Sequence, residues 1–405
     1  MILFGHPTGG PFSHNAALAH FESKRLDAFC VPWMPTPGEL GLLRRIPGMG
    51  DSVNRLERRY FAPLAAAPRI EGRVGEWSRM VRRLAFGERF ASEGLSYEAN
   101  DWLMRTMRRE SRRAAVTAVH AYEDCSLWSF EEAKRLGKAC IYDLPIGYYR
   151  AWEKTQTELV RRYADWLPTG SLPSSGHVRP EQKSREMELA DLVIVPSAFV
   201  ADTVRNYFPG KSIALAPYGV DTAEWSPSMV QRPTEMLTFL FAGQCSLRKG
   251  TPMLLEAWRA AGLKDARLQL VGSWQLAEAK QKVLPPHATW IGPVSQDQLR
   301  GHYQRAHVFV LPTYFEGRAL VIGEALASGL PVLSTRASGA EDLIDASCGK
   351  LVPTGNLDAL VEGLRWFGRH RERLSELSRA ARVQAERYTW GNYRRCVTAA
   401  VTPFV

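Results

Sequence analysis

Short apolar runs alternate with helix-like segments along the whole chain, and this alternation restricts the fold more than any other feature. A run of a few apolar residues between helices suits a strand buried on both faces, as in a parallel sheet covered by helices. The runs fall into two series. Residues 1–4, 114–120, 139–142, 192–195 and 213–216 make the first, and 237–242, 268–271, 289–291, 308–311 and 332–334 the second. At 405 residues the chain exceeds what a single core commonly holds. The sequence therefore predicts an α/β protein of two doubly wound domains, 1–228 and 229–385. The proline-containing stretch 226–236 is the expected linker, and the Pro/Gly/Ser-rich stretch 167–176 a loop inside the first domain.

Doubly wound sheets bind ligands beyond the carboxyl ends of their strands, so two facing sheets share one cleft. Three features fall at such ends. Gly9-Gly10 follows the first run and precedes a helix expected from near Asn15, leaving bare backbone for a phosphate. The segment 239–250, FLFAGQCSLRKG, supplies Arg248 and Lys249. The segment 312–320, PTYFEGRAL, ends in a helix amino terminus whose free amides favour an anion. Together they describe a seat for a diphosphate.

The stretch EGRALVIGEALASGLPV, 316–332, reads as a turn, a helix over 319–328 capped by Gly329, and a strand. Its helix has no broad polar face, only a narrow stripe of Glu324 and Ser328. A carboxylate in such a run meets water at a cleft, a ligand, or solvent at a helix edge, because burying it alone is costly.

Several chemistries find no motif. GHPTGG is not GxGxxG, GKS at 210–212 lacks the earlier glycine of a P-loop, and no Gly-x-Ser-x-Gly elbow occurs. No two aspartates stand at D-x-D spacing, which removes the simplest argument for a catalytic divalent metal; neither a divalent metal nor a cofactor is expected. Six cysteines without CxxC spacing fit packed, reduced thiols of a cytoplasmic protein. The amino terminus lacks the basic and apolar regions of a signal peptide, and no apolar run approaches the roughly 20 residues of a membrane span.

Charge is uneven. Residues 44–113 hold 16 arginines, no lysine and nine acids, a surplus of seven within a net charge of +10. Apolar and aromatic residues fall between the arginine doublets, a pattern suited to an anionic membrane surface or a diphosphate-linked acceptor, and equally to a soluble arginine-rich exterior. No nucleic-acid recognition motif accompanies it.

From 190 to 395 the sequence resembles the retaining glycosyltransferases of family 4, whose GT-B fold is two facing Rossmann-like domains. GQCSLRKGTPMLLEAW, VGSW, WIGPVSQDQLRGHYQRAHVFVLPTYFEG and EALASGLPVLSTRASGAEDLI resemble that family's successive blocks, and Glu316 with Glu324 fits its E-x7-E pair. IALAPYGVDTAEWSP resembles its approach to the linker. ERYTWGNYRR resembles its closing helix, which implies that residues 386–405 cross back to the first domain. Likeness is slighter at 1–20 and 114–150.

The resemblance implies transfer of a sugar from a nucleotide-diphosphate donor, held by the second domain, to an acceptor on the first. By likeness Glu324 accepts from the ribose hydroxyls, Glu316 meets the transferred sugar, and Lys249 neutralises the diphosphate with Arg248 beside it. Gly243, Gln244, Arg318, Ala319 and Leu320 join Gly9 and Gly10 around the donor, the amides of 319 and 320 facing the diphosphate. Tyr142, Asp143 and His120 are the acceptor-side candidates. The sequence departs from the pattern at Gln244, usually arginine, at Arg318, which would bring an extra cation or a salt-bridge partner to the sugar pocket, and near 142–143, where a histidine is usual. Those departures keep a catalytically silent nucleotide-sugar sensor open as the alternative. A lipid-linked or surface-polysaccharide acceptor, with the protein peripheral at the inner membrane face, completes the expectation.

Overall fold

A computed structural model describes residues 1–86, 93–170, 179–228 and 236–405. Most of the expected linker and loop, 229–235 and 171–178, lies outside the described residues. Seven strands form the first sheet: β1 (Ile2–Gly5), β2 (Leu26–Val31), β3 (Arg69–Glu71), β4 (Ala118–Tyr122), β5 (Ala139–Asp143), β6 (Leu192–Val195) and β7 (Ile213–Leu215). Six form the second: β8 (Leu237–Ala242), β9 (Ala266–Val271), β10 (Ala288–Gly292), β11 (Val308–Leu311), β12 (Val332–Thr335) and β13 (Gly349–Val352). Every pairing is parallel, in the orders β3-β2-β1-β4-β5-β6-β7 and β10-β9-β8-β11-β12-β13. The central strands are buried along their whole length and, His120 and Thr238 apart, mainly apolar, as helices on both faces require.

Each order reverses once, between β1 and β4 in the first sheet and between β8 and β11 in the second. A crevice opens where neighbouring crossovers go to opposite faces, so the loops after these four strands are the natural ligand positions.

Each sheet has its own core, and two helices cross between them. The helix Trp390–Val401 places Tyr393, Val397 and Val401 in the first core, against the helix Pro11–Glu22. The helix Tyr149–Arg162 goes the other way, and Leu159 with the following Tyr163 joins the second core. The two chain crossings touch at Gly219–Val220, where the Val220 amide donates to the Tyr388 carbonyl at 2.9 Å. A Cβ on Gly219 would lie 2.2 Å from the Trp390 nitrogen.

Candidate active site

The loop after β8 and the loop after β11 are fastened together, and that fastening builds the site. The Arg248 carbonyl accepts from the Tyr314 amide at 2.8 Å and the Thr313 hydroxyl at 2.9 Å. Gly250, at φ +73°, lies so close that a Cβ would sit 2.1 Å from the Pro312 carbonyl oxygen. Only glycine combines that backbone with that approach. Held this way, Arg248 and Lys249 both pair with the carboxylate of Glu316. Arg248 also donates to the Phe315 carbonyl at 3.0 Å. Burial lowers the Lys249 pKa, an effect that Glu316 opposes. Two cations and a carboxylate thus meet four residues from the helix Leu320–Ala327.

That helix begins and ends close to the predicted limits. Its amino terminus carries no side-chain cap. Gly329 follows at φ +69°, and the Leu330 amide returns to the Ala325 carbonyl at 2.8 Å. Glu324 is half-buried and accepts from the Tyr303 hydroxyl at 3.2 Å. Burial pushes its pKa up to about 7; Tyr303 opposes the shift, and the charge of Glu224 adds to it. Ser328, expected beside Glu324 on a polar stripe, is instead buried.

Some donor-side expectations change. The Ala319 amide, expected to face a diphosphate, donates to the Ser338 carbonyl at 3.0 Å, leaving Leu320 as the first amide of the pair. Arg318 is a salt-bridge partner: its guanidinium is buried against Asp342 at 2.7 Å and lies over the Tyr388 ring. Gly243, at φ +141°, fits under Gly272, where a Cβ would come 1.9 Å from the Gly243 carbonyl oxygen. Gln244 is exposed and lines a cleft of about 260 Å³ with Arg248, Gln275 and, from the first lobe, Trp152 and Gln156.

In the first lobe Gly9, at φ +76°, spends its amide on His6 Nδ1 at 2.8 Å, so only Gly10 offers open backbone. The helix starts at Pro11 and not near Asn15, because proline is preset for a first helical position. The three acceptor-side candidates do not form one open group. His120 is buried and its Nδ1 lies 2.8 Å from His20 Nε2. Asp143 is buried with its Oδ2 3.5 Å from His120 Nε2. Burial raises its pKa to about 8, partly opposed by Tyr122. Tyr142 points to the other face of the sheet, where its hydroxyl donates to Glu186 at 3.2 Å. Neighbours on a strand face opposite ways, so Tyr142 and Asp143 could not both serve one pocket.

The lobes meet beside Glu316. A Cβ on Gly317 would lie 1.7 Å from the Pro145 carbonyl oxygen, and Ser197 donates to the Gly317 carbonyl at 2.6 Å. The Trp152 ring packs on Phe315 at 5.4 Å, bringing the Tyr149–Arg162 helix over the donor loop. Sequence patterns carried no signal for Tyr303 or for this helix, since both partnerships are long-range. Among the described residues, no group of three or more His, Cys, Asp or Glu could hold a metal ion.

Residues 237–369 match the family model for glycosyl transferases group 1. The chain is 30% identical over 217 residues to the sulfoquinovosyl transferase SQD2 of Arabidopsis thaliana, covering 50% of this chain and 42% of that protein. It is 28% identical over 195 residues to the putative colanic acid biosynthesis glycosyltransferase WcaL of Escherichia coli, covering 44% and 48%. The matches span about half the length of these curated relatives. Among solved structures, sucrose-phosphate synthase from Thermosynechococcus elongatus superimposes with a TM-score of 0.66 at 16% identity, over 97% of this chain and 96% of that one. Anabaena HepE in complex with UDP and glucose superimposes with a TM-score of 0.61 at 14% identity, over 99% of each. The two facing sheets are those of the GT-B fold.

Proposed function

We propose that this chain, a GT-B protein whose second lobe matches the glycosyl transferases of group 1, moves a sugar from a nucleotide-diphosphate donor to an acceptor with retention of configuration. The observation that carries the reading is the meeting of Arg248, Lys249 and Glu316 at an uncapped helix terminus, with Glu324 on the same helix. As the glycosidic bond breaks, negative charge grows on the leaving diphosphate. Fixed cations and helix amides stabilise that charge with little reorganisation, so transfer proceeds without a divalent metal in this reading. Arg248 takes the place of the cation absent at Gln244, since its guanidinium reaches the same carboxylate as Lys249. Glu316 orients the sugar and Glu324 the ribose. The open Gly10 backbone stands toward the donor diphosphate from the first lobe, and the acceptor is lipid-linked or a surface polysaccharide at an inner membrane face.

A thermal-shift screen of UDP-, GDP- and ADP-sugars tests donor binding, because a ligand of the folded state stabilises it by mass action. The expected result is a rise in melting temperature with one nucleotide class, followed by a product of unchanged anomeric configuration by NMR. No shift with any nucleotide sugar refutes the reading. The exposure of Gln244 and the burial of His120 favour a second reading, a nucleotide-sugar sensor. That reading expects the thermal shift with neither transfer nor hydrolysis.

A further inference from the structure

We propose that the helical insertion at the rim of the first sheet is an interfacial element that seats the chain on an anionic membrane, through an outward stripe of Val74, Trp77 and Val81. Between β2 and the end of the helix Arg73–Phe86 the chain builds a satellite core of Trp33, Leu40, Leu43, Met49, Val53, Leu56 and Met80. This small core uses the inner faces of its helices and leaves large apolar groups outside. Val74 is 84% exposed, Trp77 40% and Val81 56%. Their spacing of three and four residues places them on one side of the helix, turned away from the buried Glu76, with Trp77 at the edge of the stripe next to Met80 and its ring 5.8 Å from that of Trp33. Leu42, 65% exposed on the helix Pro37–Leu43, and Ile46, 43% exposed just after it, are further exposed apolar groups of the same insertion, and the Arg73–Glu39 ion pair at 2.8 Å ties that helix to this one.

Charge chooses the partner. Arg73, paired with Glu71 and Glu39, and Arg82, paired with Glu98, flank the stripe, and the 44–113 segment as a whole holds a surplus of seven positive charges. An apolar stripe carrying a tryptophan and edged by arginine matches the boundary between headgroups and acyl chains. A second copy of the chain fits less well. Five separated side chains fall short of the roughly 800 Å² per partner of a stable interface, and two arginine-rich faces repel. The location also matters. The helix Arg73–Phe86 leaves the sheet after β3, on the same rim as the 6–10 loop and the 144–147 seam. Docking there brings the mouth of the acceptor lobe to the bilayer, which extends the glycosyltransferase reading, while its test needs no donor.

The test is sedimentation of the full chain with vesicles rich in phosphatidylglycerol and with pure phosphatidylcholine. The native chain is expected to bind the first, to release as salt rises, and to leave the second unbound. Val74→Glu with Val81→Glu lies on exposed positions, so the melting temperature and any shift with a nucleotide sugar should stay unchanged while vesicle affinity falls on the order of tenfold or more. Absence of binding to anionic vesicles overturns the proposal, as does equal binding by the double variant. A native dimer that the double variant turns into a monomer in sedimentation velocity also overturns it, assigning the stripe to a second copy.

Discussion

Lys249 and Glu316 bring opposite charges to one half-buried loop junction, where Arg248 joins them. If they stabilise charge that develops in the reaction, removing either should slow turnover and spare the fold. Lys249→Ala and Glu316→Ala are each expected to lose more than about 90% of turnover with circular dichroism and melting preserved, since loss of one such group commonly costs about 10²–10³ in rate. Near-normal turnover in a folded variant would contradict the assignment. Glu324 gives a pH prediction. With its pKa near 7, it holds a proton through much of the acid range, and only the ionised carboxylate accepts freely from two ribose hydroxyls. Donor affinity, followed by calorimetry, should rise with pH through about 7 and level off above it, and Glu324→Gln should flatten the curve. Glu324 stood out in the sequence because it breaks an apolar run, Lys249 because it follows a strand end, and Glu316 through the E-x7-E resemblance. Tyr303 and the Arg318–Asp342 pair did not, because nothing local marks a side chain whose partner lies 21 or 24 residues away.

Among elements, ten of the thirteen strands answer to apolar runs, with the 114–120 run displaced to 118–122. The other three, β2, β3 and β13, escape notice for identifiable reasons. Asp27 interrupts β2, β3 is a three-residue edge strand of mixed polarity, and β13 opens with Gly349-Lys350. Edge strands are buried on fewer sides and need less apolar sequence. The crossing at Gly219 makes a prediction of its own. A methyl group there would collide with backbone at Thr389–Trp390, which cannot turn aside as a side chain can. Gly219→Ala is expected to cost about 1–3 kcal/mol in denaturant unfolding, the range for overpacked sites. Gly10→Ala, with open space around its Cβ, should cost much less. Equal stability of the two variants would show that the crossings are not rigidly joined.

For the whole molecule, Asp143 offers a test of the closed packing. It sits among His120, Tyr122, Tyr218 and Tyr393, groups brought together from β4, β5, the first crossing and the returning helix. Its pKa rises from 3.8 to about 8, so between those values the folded chain holds a proton that the unfolded chain has released. This group's contribution to stability therefore declines as pH rises through that window and is level above it. Asp143→Asn, neutral throughout, should gain melting temperature relative to the native chain as pH climbs from about 5 to about 8. Parallel pH profiles would show that the cluster is hydrated or open. The sequence by itself determined the class of fold, the two series of strands and the odd carboxylate of Glu324, because periodicity, glycine placement and a charge in an apolar run are local properties. Only the tertiary structure decided which cations reach Glu316, that Arg318 pairs with Asp342, that Tyr142 and Asp143 face opposite layers, and that a helix of the first lobe lies over the donor loop. Those outcomes depend on packing between residues tens to hundreds of positions apart, where many partners satisfy the same local pattern and only the close-packed arrangement selects among them.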